Sequence, residues 1–172
     1  SEDTFFIVTA AATAVRDYDY FKRRIPADAR AVITDVTHGY AMLAVMGPRS
    51  RDLLANLTDA DLSNEAFPFA TGREIDVADA RPLAVRMSFV GELGWELYIP
   101  TEFSVNVFDA MMEASKRVDW IRLVFIWRGM FSDKIRRMIR QKCLEQKLIR
   151  AFSPLAQVQN CEYMLVKDPD FP

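Results

Sequence analysis

Apolar positions along the chain change their spacing several times, and each change predicts a different element. FFIVTAA at 5–11 is a compact, partly β-branched run of the kind that forms a buried strand, and it is expected to open the core. From 13 to 25 the spacing becomes helical, with Ala14, Tyr18, Phe21 and Ile25 on one face and Pro26 ending the helix. ARAVITDVT at 29–37 and YAMLAVMG at 40–47 then read as two strands around His38 and Gly39, an antiparallel hairpin. Pro48 suits a first helical turn, and Leu53, Leu54 and Leu57 give the short helix after it an apolar side. The polar stretch 58–72 is a long ordered loop or a pair of short turns. REIDVA, RPLAVRMSFV and GWELYIP follow as further strands. Thr101 can cap a helix in which Phe103, Val107, Phe108, Met111 and Met112 recur at core spacing, with Lys116 and Arg117 at its negative end. The order β-α-β-β-α, then more strands and a helix, predicts an α+β fold.

After Val118 the signals differ. WIRLVFIW precedes a basic segment at 131–152 whose Ile135, Met138, Ile139, Leu148 and Ile149 fall roughly on one side of a helix. Counting charge by segment sharpens the break. Residues 1–114 carry 10 Lys and Arg against 18 Asp and Glu, residues 115–150 carry 11 against 3, and the last 22 carry 1 against 3, so the whole-chain net charge of −2 conceals two opposed regions. The expected organisation is a domain at 1–117 and a basic helical tail at 118–172. The tail reads either as a solvated charged face or as a helix for an acidic partner or a membrane surface.

Other classes are narrowed by what the chain lacks. An apolar fraction of 51% supports one core. No run reaches the roughly 18–20 apolar residues of a transmembrane segment, since WIRLVFIW is short and broken by Arg122. The acidic start, SEDTFF, does not look like a targeting segment. Cys143 and Cys161 match no zinc or redox spacing and fit a reducing compartment, cytoplasmic or mitochondrial matrix. With His38 as the single histidine, a histidine-rich metal site or a nucleophile relay would have to use that residue, so no metal is expected. No nucleic-acid partner is expected either. Paired carboxylates and phosphate-binding glycine loops are absent from the sequence, so residue chemistry alone names no reaction.

A resemblance goes further. VMGPRSRDLLANLTDADLSNEAFPFATGREIDV, followed by RMSFVGELGWELYIPTEF, resembles the folate-binding domain fused to FAD-dependent dimethylglycine and sarcosine dehydrogenases, a relative of the glycine-cleavage T-protein, over about residues 2–114. It implies a parent enzyme that oxidises an N-methyl amine with flavin in one domain and passes the one-carbon unit to tetrahydrofolate in this one. The T-protein motif GYTGEDGFE, in which a tyrosine and the final glutamate contact folate, aligns with SFVGELGWE, placing Phe89 at the tyrosine and Glu96 at the glutamate. A carboxylate suits the pterin because its two oxygens accept paired N–H donors from a flat aminopyrimidine edge. Taken alone, Glu96 reads as an exposed strand glutamate and Phe89 as a core aromatic. Phe89 retains a ring but lacks the phenolic hydroxyl. Val8 and Thr9 align with a strand that lines the folate, although such residues are core in most strands. Gly91 and Gly94 are read as a tight turn that aims Glu96. Arg49, Arg51 and Asp52 are read as helix-surface charges.

The same resemblance implies losses. The aspartate credited with methylene transfer falls upstream of the segment matching FFIVT, ahead of Ser1. VDWIRLVFIWRGMFSDKIRR stands where an arginine-bearing segment for the folate tail is expected. No glycine-rich dinucleotide fingerprint is present, so FAD belongs to another part of the parent. The resulting expectation is a fragment of a folate-dependent one-carbon enzyme, inactive alone, with tetrahydrofolate as its ligand. A non-catalytic regulatory module of the same family and an interaction protein acting through the basic helix are the alternatives.

Overall fold

The computed structural model describes residues 3–88 and 91–118, together with the backbone of two strands at 121–126 and 163–167. Backbone contacts divide the chain into two units, 1–36 and 37–172, each described by itself.

Among its described residues the first unit has one α-helix, α1 (Ala14–Arg24), following a short 3-10 turn at Ala11–Thr13. Thr13 Oγ1 donates to Asp17 Oδ2 at 2.6 Å, so the first turn is tied by a side chain. Lys22, Arg23 and Arg24 occupy the last turn, where the helix dipole is negative. Ile25 turns extended just before Pro26 and ends the helix, as the sequence predicts. Arg24 lies over the Tyr20 ring, 3.6 Å from its centroid, and Arg23 pairs with Asp19.

Two expected strands are not found here. Residues 5–11 and 29–37 form no strand, and Phe5 is 80% exposed and Val32 91% exposed. The physical reason is that a strand requires a partner ladder. An apolar, β-branched run lowers the cost of an extended backbone but does not supply the ladder, and among the described residues of this unit none forms. The expected 29–37 and 40–47 hairpin is corrected accordingly.

In the second unit, a 3-10 turn at Thr37–Gly39 leads into β1 (Tyr40–Met46), whose neighbours are remote in sequence. β2 (Gly72–Glu74), β3 (Leu83–Val85) and β4 (Gly94–Pro100) follow, with β5 (Ile121–Ile126) and β6 (Tyr163–Lys167) beyond residue 117. The sheet order among the described residues is β2-β3-β4-β1-β5-β6, and each pairing is antiparallel. The helix expected at 131–152 lies outside the described residues. Among the described residues this unit has two helices, α2 (Ser50–Leu54) and α3 (Ser104–Ser115). The expected Thr101 cap takes another form. Thr101 begins a separate 3-10 turn, its hydroxyl donates to the His38 carbonyl at 2.9 Å, and Ser104 Oγ returns to the Thr101 carbonyl at 2.7 Å.

Strand alternation explains the two faces of the sheet. Leu43 and Val45 of β1, Ala84 of β3, and Trp95, Leu97 and Ile99 of β4 join Leu53 and Leu54 of α2 and Val107, Phe108, Met111 and Met112 of α3 in the main core. Burying each large side chain contributes about 1.5–3 kcal/mol. Phe67 stacks on Trp95 with centroids 6.2 Å apart, closing this core under the 58–72 loop. Arg51 and Arg86 both donate to Asn64 Oδ1, at 2.6 and 2.7 Å, and Arg86 also donates to the Phe67 carbonyl at 2.6 Å. The loop is thus fastened to the sheet by side chains. The opposite face carries a smaller cluster of Met42, Ala44, Met46 and Tyr98, flanked by Tyr40, Leu83 and Val85. Glu96 lies at the alternate position of β4 between Gly94 and Tyr98, on this second face.

Candidate functional site

The site is built outward from Glu96. Its register places Ala44 of β1 on one side and Val85 of β3 on the other. The carboxylate is half-buried between two apolar neighbours on the face away from α2 and α3. Tyr98, two residues along the same strand, donates its hydroxyl to Glu96 Oε2 at 2.7 Å and is itself 6% exposed. A phenolic donor on an ionised carboxylate is a charge-assisted bond, stronger than a neutral one. It fixes one oxygen and leaves the other as an acceptor, since Oε1 accepts no hydrogen bond among the described residues.

The chain before Glu96 is held in three ways. Gly91 has φ +76, a left-handed conformation that glycine adopts without a Cβ clash. The Leu93 carbonyl accepts from Gly47 N–H at 2.8 Å and from the fully buried Ser50 hydroxyl at 3.1 Å, so the start of α2 is latched to the turn. Gly94 lies against β1 so closely that a Cβ there would meet Met46 Cγ at 2.8 Å and the Val45 carbonyl at 3.0 Å. Gly47, with φ +127, makes the matching bend at the end of β1.

The residues named from the sequence fall in different places. Glu96 is at the centre of this arrangement, and Gly91 and Gly94 form the approach to it. Phe89 lies outside the described residues. Val8 and Thr9 belong to the first unit, Val8 46% exposed in extended chain and Thr9 half-buried beside Asp17. The Thr13 hydroxyl, with Arg16 and Thr9 adding to it, holds the Asp17 carboxyl below its ordinary range. His38 is exposed, and its carbonyl rather than its ring anchors Thr101. Arg49 pairs with Asp52 on the surface of α2, whereas Arg51 reaches inward, 5.9 Å from the Trp95 ring centroid. Sequence reasoning missed Tyr98 and Ser50. The first was detectable as the same-face neighbour of Glu96 on an alternating strand. The second rests on a contact between residues 43 positions apart.

Among the described residues no cluster of His, Cys, Asp or Glu is placed to hold a metal, and no helix is long and apolar enough to cross a membrane. The arrangement offers a fixed, acceptor-only carboxylate on an apolar sheet face. That chemistry suits binding of a flat group bearing adjacent N–H donors.

The family model described as the GCVT N-terminal domain matches residues 1–124. The chain is 42% identical over 114 residues to 4-methylaminobutanoate oxidase (formaldehyde-forming) from Paenarthrobacter nicotinovorans, covering 66% of this chain and 14% of the oxidase. It is 38% identical over 116 residues to mitochondrial sarcosine dehydrogenase from Mus musculus, covering 67% and 13%. It is 34% identical over 112 residues to aminomethyltransferase from Listeria monocytogenes serotype 4a, covering 65% and 30%. The chain therefore spans less than a third of each of these relatives.

Proposed function

The chain belongs to the GCVT N-terminal domain family, and we propose that it binds tetrahydrofolate, the acceptor of a one-carbon unit, through the carboxylate of Glu96. The observation that carries this reading is the half-buried Glu96 with one oxygen held by Tyr98 and the other directed to no described partner. The pterin edge carries a ring N–H beside an exocyclic amine, and an ionised carboxylate accepts both in a bidentate pair, one on Oε1 and one on the acceptor site of Oε2 that Tyr98 leaves over. Phe89 is proposed as a further contact, packing its ring on the ligand. The carboxylate's part is recognition, because tetrahydrofolate supplies the nitrogens that take up the carbon unit. The oxidase and dehydrogenase names of the relatives, together with the partial coverage, favour a role inside a flavin-dependent oxidase or dehydrogenase acting on an N-methyl amine. FAD would then bind a different part of that enzyme, in the cytoplasm or the mitochondrial matrix.

Calorimetric titration of the 172-residue chain with 5-formyltetrahydrofolate, a stable reduced folate, tests the reading. Glu96→Gln keeps the side-chain shape and replaces an acceptor by a donor, so it is expected to weaken binding about 10- to 100-fold, the loss of one or two hydrogen bonds to a charged group. Unchanged affinity in that variant refutes the assignment.

A further inference from the structure

The relation between Glu96 and Tyr98 carries an inference that rests on the folate reading and extends it. Both side chains belong to one face of β4, two residues apart, and Tyr98 is almost wholly buried among Met42, Ala44 and Met46. The aromatic ring is therefore fixed by packing before any ligand arrives. Its hydroxyl is 2.7 Å from Glu96 Oε2. An unconstrained glutamate has three rotatable side-chain bonds and loses rotamer freedom when it is ordered. With one oxygen already bound to a rigid donor, that ordering precedes ligand binding.

The geometry points to Tyr98 as the positioning residue that preorganises Glu96, so that the acceptor sites its hydroxyl leaves over face a ligand edge presenting N–H donors. The tyrosine does not need to touch the ligand. Its effect is to fill one acceptor position and to hold the carboxylate plane, so that the acceptor sites left over face one direction. A ligand edge presenting an acceptor instead would meet carboxylate oxygen with no proton between them.

A double-mutant cycle on the full chain tests this, with 5-formyltetrahydrofolate as the probe and affinity read by calorimetry. Tyr98→Phe retains the ring and its packing while removing only the hydroxyl, and it is expected to weaken binding about 5- to 10-fold. In the Glu96→Gln background the same Tyr98→Phe change is expected to alter affinity by less than about twofold, because the carboxylate it positions is gone. A purely structural role would lower affinity equally in both backgrounds. Near-UV circular dichroism of each variant reports whether the fold is intact, and Tyr98→Trp provides a second, bulkier variant without the hydroxyl. Equal losses in the two backgrounds, or no loss on Tyr98→Phe in a wild-type background that binds, overturn the role of Tyr98 and leave the folate reading standing. Absence of binding by the unmodified chain overturns the folate reading, and this inference falls with it.

Discussion

Gly94→Ala provides a stringent test of how the turn before Glu96 is built. The added Cβ would lie 2.8 Å from Met46 Cγ, 3.0 Å from the Val45 carbonyl and 3.3 Å from Met46 Cα. The first is shorter than side-chain carbons tolerate and the other two are tighter than most packed contacts, so neighbouring atoms must give way. The thioether end of Met46 could swing away, but Cγ is one bond from its Cβ, and Met46 is fully buried. The carbonyl and Cα are backbone atoms of the central strand and cannot yield without disturbing the β1 ladder to β4 and β5. Forced overpacking of this kind costs about 1–3 kcal/mol. For a chain of this size that is a fall in melting temperature of roughly 3–10 °C. Gly91→Ala provides the contrast. A Cβ at Gly91 meets nothing within 4 Å, so its cost is only the left-handed backbone at φ +76, about 1–2 kcal/mol. Asparagine tolerates that conformation, so Gly91→Asn should recover most of the loss while Gly94→Asn should be worse than Gly94→Ala. Differential scanning calorimetry on the four variants distinguishes the two mechanisms. A Gly94→Ala protein that melts within about 1 °C of the unmodified chain would show that β1 and β4 are not in the close contact described, because no packed pair absorbs such an overlap without cost.

Two further outcomes follow from the hydrogen bonds. Ser50→Ala removes the buried hydroxyl from the Leu93 carbonyl, which still accepts from Gly47 N–H, so urea denaturation should show a loss of only about 0.5–1.5 kcal/mol; a neutral result would remove Ser50 from the latch. The Asp61 carboxyl is held below its ordinary value near 3.8, chiefly by the Ser63 backbone N–H and then by the Ser63 hydroxyl, with Arg73 and Arg51 contributing. A depressed folded pKa stabilises above the unfolded value and is lost as pH falls through the folded one, so the advantage of the unmodified chain over Asp61→Asn should shrink below about pH 4. Denaturant midpoints between pH 6 and 3 measure that gap, and a gap that widens towards acid would contradict the Ser63 contact.

The accuracy of the sequence reading tracks how local each signal is. α1 was legible because its stop is written beside it, Ile25 before Pro26, and the helical spacing needs no distant partner. β4 was legible because GWELYIP alternates, with Trp95, Leu97 and Ile99 buried on the side of α2 and α3. FFIVTAA and ARAVITDVT carried equally strong strand composition, yet neither forms a strand. Composition reports that a residue tolerates an extended backbone, whereas a ladder depends on a second segment that one-dimensional periodicity does not identify. The pairing of β1 shows the same limit. Its apolar run marked a strand, but the neighbours on its two edges are β4 and β5, about fifty and eighty residues away in sequence.

The candidate site combines both kinds of information: the motif singles out Glu96, whereas the partner of its carboxylate is visible only in the folded chain. A carboxylate's binding capacity is what remains after the protein has used part of it. The motif places Glu96 on a strand, and alternation places Tyr98 on the same face; only the folded geometry shows that the hydroxyl takes Oε2. That single bond changes the meaning of the residue. An isolated surface glutamate is hydrated on both oxygens and must shed water and order its side chain together on binding. Glu96 has already done part of both, on a strand whose approach is fixed by Gly91, the doubly bonded Leu93 carbonyl and the close packing of Gly94. The turn and the tyrosine act on different degrees of freedom, one setting the backbone position of Glu96 and the other its side-chain rotation. Their contributions to ligand affinity should therefore be close to additive, so that Ser50→Ala and Tyr98→Phe combined weaken binding by about the product of their separate effects. A combined loss far smaller than that product would mean that both changes release the same motion, and that the latch acts on Glu96 only through Tyr98.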